Sequence, residues 1–316
     1  GACGSHYAML RLKDVSDADF SHSLRCGSFR LHIGAFSLRI DSNVDALRMG
    51  LRQVYPHYPV SISGGYYDFD LAIHPASVLR QWLRRNVVFS LSGQAPFLPM
   101  VVDHAHALFE WGLNWTIGSS VHQYLILHSA VVESRGKGIM LSAASGSGKS
   151  TLTAELAMRG WRLFSDELAL IDGAAPRLQL VPFPRPVSLK NQSIDLIRRR
   201  HPEAQFGPLA HATQKGTIAH LRATDESIDR AAETAPPSLI IFPKWTAGAP
   251  LRVQPVGAGQ AAMRLIDQSF NYPVLGPSGF SLLADLAQSA PAWELEYSSL
   301  DDAVDALDDL LADDDA

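Results

Sequence analysis

Apolar and polar positions alternate with two different periods along this chain, and the switches between them outline its elements. Residues 28–40 alternate with period two, which predicts one or two strands. A short helix is expected over 44–51, Pro56 and Pro59 break the pattern, and strands are expected at 66–73 and 84–91. Between 98 and 120 the period becomes helical, with Val102, Ala105, Leu108, Phe109 and Gly112 in register and Trp111 and Trp115 one turn apart. A strand over 124–133, a turn over 134–138 and a second strand then run into a string of small residues. The helix beyond them has Leu152, Leu156 and Ala157 on its apolar face and Gly160 as its C-cap. Strands are expected at 161–164, 168–171 and 179–182, a Pro-rich loop at 183–186, and a helix over 193–200. From there to about 233 the chain reads as a polar loop carrying Gln214, Lys215, Gly216 and Thr217. Strands at 239–242, 251–253 and 293–297 and helices at 258–270 and 278–288 follow. The last helix opens at Ser298 and Ser299, with Asp301 and Asp302 where acid complements the helix dipole and Val304, Leu307, Leu310 and Leu311 on its apolar face. Its acidic end reads as a solvated tail.

This order predicts an N-terminal β-rich α+β domain over 9–120 and an α/β domain over 121–316. Residues 1–8 read as a cleaved-tag scar, with native numbering from Met9. A chain of 316 residues, 47% hydrophobic and 19% charged, fits such a pair of soluble domains. The net charge of −5 and the lack of a basic stripe argue against nucleic-acid binding. No apolar run is long enough for a membrane span, and no secretory signal pattern is present. With Cys3 in the scar, Cys26 is the single native cysteine, so no intramolecular disulfide forms and a cytoplasmic setting is expected. His104, His106 and His122 read as core and surface histidines, because no paired Cys or carboxylate spacing accompanies them.

The candidate chemistry sits at 138–151, where a strand meets small residues and then Gly148-Lys149-Ser150-Thr151 opens a helix. That is the strand, loop and helix order of a phosphate-binding P-loop. Small residues let successive backbone N–H groups curl around an anion, and the helix adds its positive end. Ala144, Ser145, Gly146, Ser147, Gly148, Lys149, Ser150 and Thr151 are therefore the candidate nucleotide-binding residues. Lys149 would reach the phosphates and the Ser150 hydroxyl would ligate Mg²⁺. Ala143 stands where the usual pattern has its first glycine. Asp166 and Glu167 follow Lys149 by one helix and one strand, and strand ends gather beside such a site. A carboxylate there can hold Mg²⁺ or take a proton from an attacking hydroxyl. The short spacing favours kinase chemistry over a motor ATPase.

His128, Ser145-Gly146-Ser147-Gly148-Lys149-Ser150, Arg159-Gly160 and Asp166-Glu167 resemble, in order and spacing, the core of the HPr serine kinase/phosphorylase superfamily. More narrowly, Glu110-Trp111-Gly112-Leu113-Asn114-Trp115, the run from Gly160 to Glu167 and the run from Arg185 to Asn191 are similar to its HPr-kinase-related kinase A branch. The resemblance implies a P-loop kinase core of the HPr kinase/phosphoenolpyruvate carboxykinase type that uses ATP and Mg²⁺. It implies Asp166 as the base, Glu167 as a metal holder beside Ser150 and Asp166, and His128 near the transferred phosphate. Arg185 and Lys190, on a loop, would stabilise charge. Glu167 replaces the family's second Asp, and the later signature tied to HPr phosphorylase activity is missing, so HPr is not the expected substrate.

The expected function is an ATP- and Mg²⁺-dependent kinase acting on a Ser or Thr hydroxyl of a peptide or small protein. The alternatives are a small-molecule kinase of the amino-acid type and a non-catalytic ATP sensor in which the 201–235 loop is ordered by nucleotide. A peptide, small protein or small molecule is thus the expected acceptor, with no nucleic acid and no membrane as partner. Superfamily members form hexamers, which leaves a homo-oligomer open.

Overall fold

A computed structural model describes residues 9–76, 85–174 and 176–313 as a mixed α/β chain with several mixed sheets. The expected scar at 1–8, the first residue of the strand expected at 84–91 and the tail at 314–316 lie outside the described residues. The chain divides into a unit ending at Leu113 and a unit beginning at Asn114. No helix among the described residues is long and apolar enough to cross a membrane.

The first unit contains β1 (Leu10–Arg11), α1 (Asp17–Arg25), β2 (Arg30–Ile33), β3 (Phe36–Ser42), α2 (Asp45–Val54), β4 (Pro59–Ser61), β5 (Phe69–Pro75), β6 (Asn86–Leu91) and β7 (Met100–Val101). α3 (Ala105–Ser120) carries the chain across the division. The strands make one sheet in the order β1-β4-β2-β3-β5-β6-β7, in which β3 and β5 run parallel. The alternation at 28–40 forms the β2–β3 hairpin, and the strand expected at 66–73 begins later, at Phe69. α1 was not expected: its apolar face is only Phe20 and Leu24, and its start is fixed by Ser16, whose hydroxyl accepts the Asp19 N–H at 3.1 Å. His106 is buried in this unit beside Tyr55, and burial lowers its pKa to about 3. His104 is half-buried and His122 exposed.

The second unit continues with β8 (Leu125–Leu127), β9 (Ser129–Ser134), β10 (Lys137–Ser142), α4 (Lys149–Met158), β11 (Arg162–Ser165), β12 (Ala169–Asp172), β13 (Gln179–Val181), β14 (Val187–Lys190) and α5 (Gln192–Arg200). It ends with β15 (Ala210–Thr213), β16 (Gly216–Leu221), α6 (Asp225–Asp229), β17 (Pro237–Trp245), β18 (Arg252–Val256), α7 (Ala258–Ile266), α8 (Tyr272–Leu275), α9 (Pro277–Ser289), β19 (Ala292–Tyr297) and α10 (Leu300–Asp313). Six strands form the central sheet, β11-β9-β10-β17-β19-β18. β10, β17 and β19 are parallel neighbours, whereas β9 lies antiparallel to both β10 and β11. β10 and β11 therefore point the same way, and the loops after both open on one edge of the sheet. Ile139, Met140 and Leu141 are fully buried because β10 is covered on both faces. Met140, paired to Val131 and Ile240, faces a core shared with α7, α9 and β12. α4 packs across β9, β10 and β11.

Three expectations change here. The single strand at 124–133 is two, β8 and β9, which belong to different sheets and part at His128. Asn271 holds the first of them: its Oδ1 accepts the Ile126 N–H at 2.9 Å and its Nδ2 donates to the Tyr124 carbonyl at 2.7 Å. The loop expected from 201 to 233 contains the β15–β16 hairpin, added to β14, and the short α6. Lys190 ends a strand, since β14 pairs with β16 in register Lys190↔Ile218.

Candidate functional site

The turn between β9 and β10 needs two residues with positive φ, and Arg135 and Gly136 (φ 56° and 78°) supply them. β10 then delivers the chain to a loop at 143–148 whose shape depends on Gly146 (φ 89°) and Gly148 (φ 90°). Gly148 has a second constraint. A Cβ there would lie 2.8 Å from the Trp245 Cβ and 2.9 Å from the Tyr297 hydroxyl. The Trp245 N–H also donates to the Ser147 carbonyl at 2.8 Å, so β17 clamps the loop from the side. α4 starts at Lys149 with no side-chain cap, and its first intrahelical bond runs from the Leu152 N–H to the Gly148 carbonyl. The N–H groups of the first turn are thus left for an anion.

A cleft of about 670 Å³ lies over this helix end. His128, Ala144, Ser145, Gly146, Gly148, Lys149, Ser150, Thr151, Glu167 and Lys190 all line it. Ser147 faces elsewhere, and Arg185 does not line the cleft. Asp166 lies one layer deeper, behind Ser150 and Ser188: its Oδ2 accepts the Ser188 N–H at 3.1 Å, and Ser150 adds a side-chain hydrogen bond. Several buried side-chain polar atoms have no hydrogen-bond partner among the described residues, and the two that belong to ionisable groups of this site are the Lys149 Nζ and the Asp166 Oδ1.

Asn114, at the unit's first residue, joins two of the expected groups. Its Nδ2 donates to Glu167, and its Oδ1 accepts from the Arg185 Nη2 at 2.5 Å. Arg185 also lies over the Phe183 ring, 5.4 Å from its centroid. Arg185 thus acts on the cleft through Asn114 and Glu167. No role for Asn114, Ser188, Trp245 or Tyr297 was legible beforehand, although Asn114 lies within one of the motifs singled out in the sequence.

Electrostatics divides the two carboxylates. Burial, helped by the neighbouring charge of Glu167, pushes Asp166 up to about 6 against the pull of Lys149. Burial would raise Glu167 as well, but Arg185, Lys149 and His128 outweigh it and hold its pKa below the usual carboxylate range. Burial, opposed by Asp166 and Glu167, lowers the pKa of Lys149. His128 is lowered by burial and then by Lys149, which favours the neutral ring. Its backbone N–H is held by the Gln268 carbonyl at 2.7 Å, and its ring meets Phe270 edge-on at 5.9 Å.

Among the described residues no three His, Cys, Asp or Glu side chains form a metal cluster on their own. The groups present do suit a hard cation that arrives with an anionic ligand. Glu167, its pKa held low, and Ser150 line the same cleft, Ser150 bonds Asp166, and the Asp166 Oδ1 has no partner among the described residues.

No protein-family model matches the chain. The curated proteins contain no match to it either. Among solved structures, the Hpr(Ser) kinase/phosphatase from Coxiella burnetii is similar at 11% identity, over 60% of this chain and 94% of that one, with a TM-score of 0.28. The reading of the site therefore rests on the residues of this chain.

Proposed function

We propose that the second unit is an ATP- and Mg²⁺-dependent kinase that phosphorylates a Ser or Thr hydroxyl on a peptide or small protein. The observation that carries this reading is the pair of buried, unpartnered atoms, Lys149 Nζ and Asp166 Oδ1, under a loop that ends in an uncapped helix. Leaving a charged group buried without a partner costs about 1–3 kcal/mol or more. A bound phosphate and cation would satisfy both atoms at once.

In this reading the loop 143–148 is a P-loop. Its N–H groups and Lys149 would hold the phosphate chain, and Ser150, Asp166 and Glu167 would hold the magnesium ion. Bound magnesium-ATP would supply the transferable γ-phosphate. Asp166, pushed up to about 6, would take the proton of the acceptor hydroxyl as the γ-phosphoryl group passes to that oxygen and ADP leaves. Glu167 stays ionised, oriented by Asn114. Lys190 lines the cleft, while Arg185 lends positive charge through Glu167.

Transfer of label from γ-labelled ATP tests the proposal, with wild type beside Asp166→Ala, against host lysate split into protein and small-molecule fractions. Label in a protein or peptide band that the variant fails to produce is the expected result. Label confined to the small-molecule fraction would replace the acceptor class with a metabolite. ATP binding without transfer to either fraction would leave a nucleotide sensor.

A further inference from the structure

The cleft extends beyond the groups used so far. In the central sheet β11 lies on one side of β10, while β17 and β19 lie on the other. The carboxylates at the end of β11 therefore flank the loop from one side, and Trp245 and Ser298, at and just past the ends of β17 and β19, flank it from the opposite side. Glu167 from the first side and Trp245 and Ser298 from the second line the same cleft, whose volume of about 670 Å³ falls within the range of small-molecule sites. Leu196, Trp245 and Leu300 add apolar surface to its wall beside the polar Gln192, Ser193 and Arg199.

Trp245 is the unusual member. Half of its surface is exposed, yet it is pinned at three points. Its N–H donates to the Ser147 carbonyl at 2.8 Å, its indole Nε1 donates to the Ser298 carbonyl at 3.1 Å, and its Cβ packs against Gly148. A large aromatic ring fixed in place with an open surface suits a planar aromatic ligand, because its stacking costs no side-chain entropy. The two serines after β19 are engaged within the protein. The Ser298 hydroxyl donates to the Ala249 carbonyl at 2.8 Å, and the Ser299 hydroxyl accepts the Asp302 N–H at 3.3 Å.

Resting on the nucleotide reading above, we infer that Trp245 is the platform on which the base of the bound nucleotide stacks. Isothermal titration with magnesium-ATP and with magnesium-tripolyphosphate, which lacks the nucleoside, separates this from the loop's hold on phosphates. In Trp245→Leu the dissociation constant for ATP should rise at least tenfold while that for tripolyphosphate stays within twofold. Trp245→Phe keeps an aromatic face, so its ATP affinity should stay within about threefold of wild type. If Leu and Phe at position 245 bind ATP equally well, or both ligands weaken together in Trp245→Leu, the indole only braces the loop and the inference is wrong. Wild type that binds neither ligand would instead sink the nucleotide reading itself.

Discussion

Helix α4 carries a buried charge near each end, and the two are treated in opposite ways. Glu155 accepts hydrogen bonds from Arg159 Nε at 2.8 Å, from Arg200 Nε at 3.0 Å and Nη2 at 2.8 Å, and contacts His201 Nε2 at 2.9 Å. Burial alone would raise its pKa, but those cations hold it down to about 2. Lys149, one and a half turns earlier, has no protein partner for its Nζ, and Asp166 has none for Oδ1. The first cluster is closed and ties α4 to α5 and α10, since Arg159 and Arg200 also reach Asp301. The second is open. A closed cluster of charge holds a fold together, whereas an open one keeps capacity for something that arrives later.

The largest expected effects separate the two directly. Glu155→Gln leaves two partly buried guanidinium groups, Arg159 and Arg200, around a neutral amide and should cost about 3 kcal/mol of unfolding free energy by chemical denaturation. Its affinity for ATP should stay within about threefold. Lys149→Met should do the reverse: stability equal to wild type or slightly higher, with ATP binding weakened by about 100-fold or more, as expected for loss of a charged phosphate contact. A Lys149→Met protein as unstable as Glu155→Gln, still binding ATP, would erase the distinction.

The pH dependence should sharpen it. Asp166 is raised from its ordinary value of 3.8 to about 6, so the folded state binds this proton more tightly than the unfolded chain does. The cost of ionising it in place is absent below pH 4, grows as pH rises, and is complete above about pH 6. Asp166→Asn should therefore be the more stable protein at pH 7.5, by up to about 3 kcal/mol, with the difference vanishing below pH 4. Glu155 runs the opposite way. Its contribution is present above its ordinary value of 4.5 and is lost as pH falls towards 2. Wild-type turnover should rise with pH as Asp166 gives up its proton, at a pH that a bound magnesium ion would move below 6. Melting curves and pH–rate profiles of the two proteins check both signs.

How much of this was visible in the residues depended on how local its causes were. The loop at 143–148, the helix after it and the Asp166-Glu167 pair were legible because small residues, a Gly-Lys-Ser-Thr string and a short strand act within a few positions. The break at His128 was not, because its causes are Gln268 and Asn271, about 140 residues away in the chain. The β15–β16 hairpin looked like a loop because His211, Thr213 and Thr217 interrupt its alternation. Its order comes from pairing with β14 and from the Asn191 side chain, which accepts the Thr217 N–H at 3.0 Å. Asn114 is a polar residue on a largely apolar helix, and nothing near it in sequence reveals that Glu167 and Arg185 meet there.

The smallest expected effects compare two glycines at the ends of α4 with nearly the same backbone. Gly148 has φ 90° and Gly160 has φ 92°. Gly160 ends the helix: its N–H bonds the Ala157 carbonyl at 3.2 Å, and the Trp161 N–H bonds Leu156 at 3.0 Å. A Cβ at 160 meets nothing within 4 Å, so Gly160→Ala should cost about 1 kcal/mol from the left-handed conformation alone. ATP binding should not change. At Gly148 the same conformational cost is joined by the collision with Trp245 and Tyr297, which can be relieved only by moving the loop. Gly148→Ala should therefore weaken tripolyphosphate and ATP alike, by about tenfold or more, while losing only slightly more stability than Gly160→Ala. Denaturation and titration on the same two proteins give both readings. Equal binding by both would mean that the shape of the loop, unlike the charge of Lys149, is not what holds the phosphates.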